Sequence, residues 1–156
     1  MNLSFFIRSI FYNLVIFLFC SNCYASANQT SDESYSWKIK KVIDGDTIKI
    51  AENFGLPSQL SISVRIKNVD TPEKSPKAKC AKEAKIAKLA YEFTKNAFDE
   101  AVHHNRKITF SEIAWDKYGG RILAVVKIEN RSLAQDLIKN GLGREYHGRK
   151  KPNWCK

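Results

Sequence analysis

Leu60, Ile62, Val64 and Ile66 alternate without a break with Ser61, Ser63, Arg65 and Lys67. A strand with one buried face is the regular element that satisfies apolar and polar side chains at period two. The alternation therefore commits this chain to a sheet and turns Arg65 away from the apolar side. Trp37–Ile43 and Thr47–Ile50 read as strands on either side of a turn at Asp44–Gly45–Asp46. Lys107–Ile113 and Arg121–Ile128 read as two more, joined through Asp116–Lys117–Tyr118–Gly119–Gly120. Thr71–Pro72 ends the alternating segment, because a residue before proline is biased towards extended backbone.

From Lys77 to about His103 there is no Gly or Pro, and Ala84, Ala87, Tyr91, Phe98 and Val102 recur at helical steps. This predicts one long amphipathic helix. Ser132 with Gln135 forms a capping-box pattern that opens a short helix through Leu133, Leu137 and Ile138. Asn140–Gly141 is its stop signal. Short strands with one long and one short helix imply a single α+β domain. A small β-barrel with α-helices packed on it is the natural closure, since it leaves few exposed strand edges.

Residues 1–27 read as an address. Arg8 is their one charged side chain, an apolar run follows from Ile10 to Cys20, and Ala25–Ser26–Ala27 supplies small residues at the end. That order is the order of a cleavable export signal, and the run is about half the length of a membrane span. Cleavage after Ala27 would leave a lead-in over residues 28–36, expected to be disordered, and a domain over 37–156. The product would be secreted or periplasmic, with no stable membrane association, and is expected to be a monomer. Cys20 and Cys23 would leave with the signal. Cys80 and Cys155 would remain, either bridged or as two free thiols, and export permits the bridge. Closing that loop would stabilise the domain by roughly 4 kcal/mol on the chain-entropy model.

The whole chain carries 26 Lys and Arg against 16 Asp and Glu, a formal charge of +10, and loss of Arg8 lowers this only to +9. Hydrophobic residues at 44% and charged residues at 27% exclude general disorder and a multi-span membrane protein. The excess charge calls for a polyanion: nucleic acid, anionic lipid or acidic glycan. Two stretches concentrate carboxylates beside turns, Ile43–Asp44–Gly45–Asp46–Thr47 and Val69–Asp70–Thr71–Pro72–Glu73. Each alone reads as an ordinary turn or strand end. Together, at the ends of adjacent strands, they suit an oxygen-rich pocket for a hard cation such as Ca²⁺. Arg65 and Arg121 offer planar donor forks that match phosphate oxygens. Carboxylates, guanidiniums and a dication are the parts that phosphodiester cleavage requires.

These motifs occur in one order: Ile43–Thr47, Arg65 leading into Val69–Glu73, Asp116–Arg121, then Leu137–Ile138 with Gly141–Leu142. The set resembles the staphylococcal nuclease (thermonuclease) family from about Trp37 to Tyr146. The resemblance implies a five-stranded OB-like barrel with packed helices and Ca²⁺-dependent hydrolysis of DNA and RNA to 3′-phosphorylated products. By position it makes Asp46 and Asp70 carboxylate metal ligands, with Thr71 giving its backbone carbonyl. Glu73 would be the general base or the residue that places the attacking water. Arg65 and Arg121 would clamp the scissile phosphate, Lys117 and Tyr118 would meet a terminal or neighbouring phosphate, and Tyr146 would stack on a base. One departure bears on the site: Tyr118–Gly119–Gly120–Arg121 holds one glycine more than the family's Tyr-Gly-Arg, and one residue reverses the face of a strand unless a turn absorbs it. The tail is also shorter than in the founding enzyme, and a Cys80–Cys155 bridge would fasten it.

His103–His104 are adjacent on the helix, point about 100° apart and read as a solvated end. The lysines between 74 and 88 fit a solvated face or a phosphate-tracking surface equally well. Arg144, Arg149, Lys150, Lys151 and Lys156 interleave with Tyr146 and Trp154, a pattern suited to single strands. Trp154 reads alternatively as a core plug beside Cys155. The expected function is an exported Ca²⁺-dependent, sugar-non-specific nuclease. The alternative is a non-catalytic OB-fold module that binds nucleic acid, and a cationic envelope- or membrane-surface protein is a third class.

Overall fold

The computed structural model describes residues 33–51, 61–117 and 119–156. The expected signal segment, Leu60 and Tyr118 lie outside the described residues. The chain order is β1 (Lys38–Asp44), β2 (Thr47–Ala51), β3 (Ser61–Ile66), β4 (Asn68–Asp70), α1 (Ala81–His103), β5 (Ile108–Trp115), β6 (Arg121–Ile128), β7 (Arg131–Ser132), α2 (Leu133–Lys139) and β8 (Arg144–Tyr146). The main sheet runs β1-β2-β3-β6-β5, with β7 on β6, while β4 and β8 form a separate pair. All pairings are antiparallel except β3 with β6. This is an α+β fold with a mixed sheet, consistent with the OB-like arrangement.

Val64 and Ile66 of β3 are buried on the same side as Ile48 and Ile50 of β2 and Ile122, Ala124 and Val126 of β6. Phe98 of α1 and Phe110 of β5 are the largest side chains sealed in this core. Each contributes roughly 1.5–3 kcal/mol by leaving water. Inside the expected lead-in, Tyr35 and Phe110 exchange backbone hydrogen bonds of 2.8 Å. Tyr35 also stacks on Trp37.

Helix α1 starts four residues later than its composition predicts. Its cap is Cys80, whose sulfur accepts from the Glu83 backbone N–H. Glu83 is buried and reaches back to the N–H groups of Lys79 at 2.7 Å and Glu73 at 3.4 Å. This is capping-box logic with a sulfur in place of a hydroxyl. The buried stripe is Ala87, Ala90, Thr94, Phe98 and Ala101, while Val102 is exposed. Small residues dominate the stripe because the helix lies close on the β1–β2 turn. A Cβ added at Gly45 would sit 2.7 Å from the Ala90 Cβ and 2.9 Å from the Thr71 side chain. Thr94 Oγ1 donates to the Gly45 carbonyl at 2.7 Å, so the helix also fixes the turn by a buried hydrogen bond. Ser132 caps α2 through the Gln135 N–H, as its pattern predicts.

Cys80 and Cys155 form a disulfide with Cα atoms 6.0 Å apart. The bridge pins the chain end to the start of α1 and closes a loop of 75 residues. Reduction should therefore lower unfolding stability by up to about 4 kcal/mol, read as a shift in the urea midpoint with and without a dithiol. An unshifted midpoint would show that the tail adds nothing to the fold.

Candidate active site

Strand pairing assembles the site. Thr47 lies opposite Arg65 in the β2–β3 register, so Asp46, one step into the turn, lands beside the Arg65 side chain. The Asp46 carbonyl accepts the Ile66 N–H at 2.8 Å and fixes that step. Asp70 follows Arg65 by five residues, with the chain reversing through Asn68 in the left-handed region at φ 67°. The Arg65 fork then reaches both acids: Nη1 donates to Asp46 Oδ1 at 2.9 Å and Nη2 to Asp70 Oδ1 at 2.8 Å.

Both acids are almost fully buried, Asp46 at 2% and Asp70 at 1% exposure. Asp46 Oδ1 also accepts from Thr47 Oγ1 at 3.0 Å, and its Oδ2 accepts the Thr71 N–H at 2.9 Å. Asp70 Oδ2 accepts the indole N–H of buried Trp154 at 3.4 Å. Burial pushes the Asp46 carboxyl up to about 6 despite the neighbouring Arg65 charge. Burial works against the Arg65 charge too, but Asp46 and Asp70 outweigh it and hold the guanidinium above its usual range. The Arg65 guanidinium thus leaves the buried Asp46 carboxylate under-compensated.

Glu73 stands at the exposed side of this group, joined to Lys151 at 2.6 Å, and Lys151 lies 3.5 Å from Asp70. Burial alone would raise the Glu73 carboxyl. The Lys151 hydrogen bond and charge, with Lys77 and Arg65, overcome this and lower it. Beside these acids opens a cavity of about 650 Å³ lined by Arg65, Lys67, Trp115, Lys117, Arg121, Tyr146, Arg149 and Lys151 among others. Tyr146 pairs with Asn68 across β8–β4, and its ring lies 5.9 Å from the Arg65 guanidinium. Trp115 is 75% exposed at the cavity edge.

The additional glycine is absorbed in the β5–β6 turn. Gly119 and Gly120 both take φ near +70°, a conformation open to glycine at little cost. In the parallel β3–β6 register Ser63 faces Arg121 and Arg65 faces Leu123. Arg121 and Leu123 share a face, so both arginines stand on the side away from the core. Arg121 Nε donates to Asp116 within the turn.

The structure thus brings together Asp46, Arg65, Asp70, Thr71 and Glu73, and sets Arg121, Lys117 and Tyr146 around the adjoining cavity. Tyr118 lies outside the described residues. Sequence reasoning missed the β4–β8 pair and the entry of Lys151 and Trp154 into the site. The adjacent Trp154–Cys155 was the available signal, since a bridge to Cys80 brings that end of the chain close to Glu73. Trp154 is buried, as the core-plug reading expects.

The model of the staphylococcal nuclease homologue family matches residues 63–155, more than half of the chain. The chain belongs to the staphylococcal nuclease family. A comparison with curated proteins gave no match. The match spans Arg65, Asp70, Thr71, Glu73, Lys117, Tyr118, Arg121 and Tyr146, together with both bridged cysteines. Asp46 precedes it and is tied to it by the β2–β3 register.

Members of this family are typically metal-dependent, Ca²⁺ above all. The donors here suit a hard cation: carboxylate oxygens of Asp46 and Asp70 and the Thr71 carbonyl, with a buried acid whose ionisation is under-compensated. Among the described residues, Cys80, Glu83 and Cys155 are the group of three ligand atoms of the His, Cys, Asp and Glu type lying within 4.8 Å of one another. Its sulfurs are spent in the disulfide and offer no thiolate. Between the acids of the candidate site stand Arg65 and Lys151. Arg65→Ala should leave two buried carboxylates without their main partner and cost roughly 3–5 kcal/mol, measured by urea unfolding in chelator. A loss near zero would show that the fork does not compensate them.

Proposed function

We propose that this chain is an exported, Ca²⁺-dependent, sugar-non-specific nuclease that hydrolyses DNA and RNA to 3′-phosphorylated products. Family membership supports nuclease chemistry. The observation that carries the finer reading is one guanidinium held between two buried carboxylates, opening on a cavity rich in cations. Asp46, Asp70 and the Thr71 carbonyl would hold Ca²⁺. Bound there, it would add positive charge beside the acids and polarise a phosphate oxygen.

Arg65, whose fork lies on both acids, would offer its donors to the scissile phosphate. Arg121, on the same sheet face, would meet the phosphate from the β6 side and favour departure of the 5′ oxygen. Glu73 would accept a proton from the attacking water or align that water. Water adds at phosphorus, the bond on the 5′ side breaks, and a proton passes to the departing oxygen. Lys117 and Tyr118 would bind a neighbouring phosphate, and Tyr146 would stack on a base. Stacking of this kind favours single strands.

The disulfide supports a location outside the cytoplasm. No helix among the described residues is long and apolar enough to cross a membrane. We take the export signal at 1–27 and a monomeric domain at 37–156 as parts of the same reading.

Incubation with plasmid DNA and with RNA, with Ca²⁺ or with chelator, tests the proposal. Cleavage of both substrates that stops on chelation is the expected result. Binding without cleavage at any calcium level would instead mark a non-catalytic OB-fold module. Glu73→Gln should lower turnover roughly 10²–10⁴-fold while leaving substrate affinity nearly intact. Unchanged turnover would remove Glu73 from the mechanism.

A further inference from the structure

The chain end enters the acid cluster as a built piece of structure. Cys155 is bonded to Cys80. Trp154 is buried, donates its indole N–H to Asp70 and carries the Arg144 guanidinium 4.5 Å from its ring. Arg144 Nη1 donates to the Asn153 carbonyl at 3.0 Å, and Lys82 Nζ to the Lys156 carbonyl at 2.6 Å. These ties fix the backbone on the C-terminal side of Lys151, whose ammonium lies 2.6 Å from Glu73 Oε1 and 3.5 Å from Asp70 Oδ1.

Exposed lysine–carboxylate pairs ordinarily contribute little, because a mobile side chain must be ordered to make them. Here the tail supplies much of that ordering in advance. Lys151 also meets one acid that is sealed from water, where a charge is screened far less than at the surface. Asp70 is one of the two acids of the proposed metal pocket, so the Lys151 ammonium and a dication would compete for its carboxylate.

We propose that Lys151 is a resident counter-cation of the acid pocket, held there by the disulfide-anchored tail, and that it competes with the divalent cation for Asp70. It follows that the Cys80–Cys155 bond sets the calcium requirement. The inference rests on the metal-pocket reading of Asp46 and Asp70.

Calorimetric titration of the exported protein with Ca²⁺ tests it without reference to turnover. Lys151→Ala should bind calcium roughly three- to tenfold more tightly than wild type, since a like charge a few ångströms away is removed. Lys151→Arg should retain wild-type affinity, and Lys139→Ala, which loses the same charge at the exposed end of α2, should also match wild type. Cys80→Ser/Cys155→Ser should tighten binding in the same direction, and adding Lys151→Ala to it should tighten binding no further. Equal or weaker calcium binding by Lys151→Ala overturns the proposal, as does full additivity with the cysteine pair. A wild-type protein that binds no calcium overturns the pocket reading itself, and that result is distinct from variants that bind like wild type.

Discussion

Everything near the site is arranged around the Arg65 fork, whose two nitrogens hold Asp46 in the β1–β2 turn and Asp70 at the end of β4. Two acids at this depth cannot both be charged without a partner, because the desolvation of each ion costs several kcal/mol in a protein interior. A lysine would offer a single point charge, whereas the guanidinium presents parallel donors to both. The requirement constrains three elements at once. The β1–β2 turn must be tight enough to project Asp46 backward, β3 must present residue 65 on the outer face, and the chain must reverse at Asn68 to return Asp70. Gly45 and Thr94 belong to the same constraint, since α1 can lie on that turn only where no Cβ intervenes.

Local patterns in the chain carried most of this. The alternation from Leu60 to Lys67 sets the face of Arg65, and the capping pair Ser132–Gln135 sets the start of α2. What local patterns miss is long-range pairing. Asn68–Asp70 and Arg144–Tyr146 are three-residue strands separated by more than seventy residues, too short to show a period and paired only because the fold brings them together. The start of α1 was missed for a chemical reason: its cap is a half-cystine, and its reciprocal partner Glu83 looks like any exposed helix acid until its burial is seen. The apolar stripe was placed out of phase at Val102, because Thr94 counts as polar in the sequence yet lies fully buried with its hydroxyl satisfied.

Parity settles the placement of Arg121, where residue counting from a family pattern does not. In a strand the face depends on register with the neighbour, and a turn of two left-handed glycines can take up an extra residue without passing it on. The decisive fact is the parallel pairing of β3 with β6, which puts Arg121 and Arg65 on a common face irrespective of how many residues the preceding turn contains. A loop can therefore lengthen between Tyr118 and Arg121 while the two guanidiniums keep one orientation relative to the sheet.

The excess positive charge divides into two populations with different physics. Lys82, Lys85 and Lys88 lie exposed along α1, where salt screens their charges beyond about 10 Å. Arg65 and Lys151 are bound to carboxylates at hydrogen-bond range, one of them with its side chain only 12% exposed. Their charge is cancelled locally and contributes little to the distant field. Net charge therefore overstates the pull on a substrate and understates what the pocket holds in reserve. The exposed lysines and the carboxylate-bound cations are therefore distinct in their electrostatics, and each set is fixed by different residues.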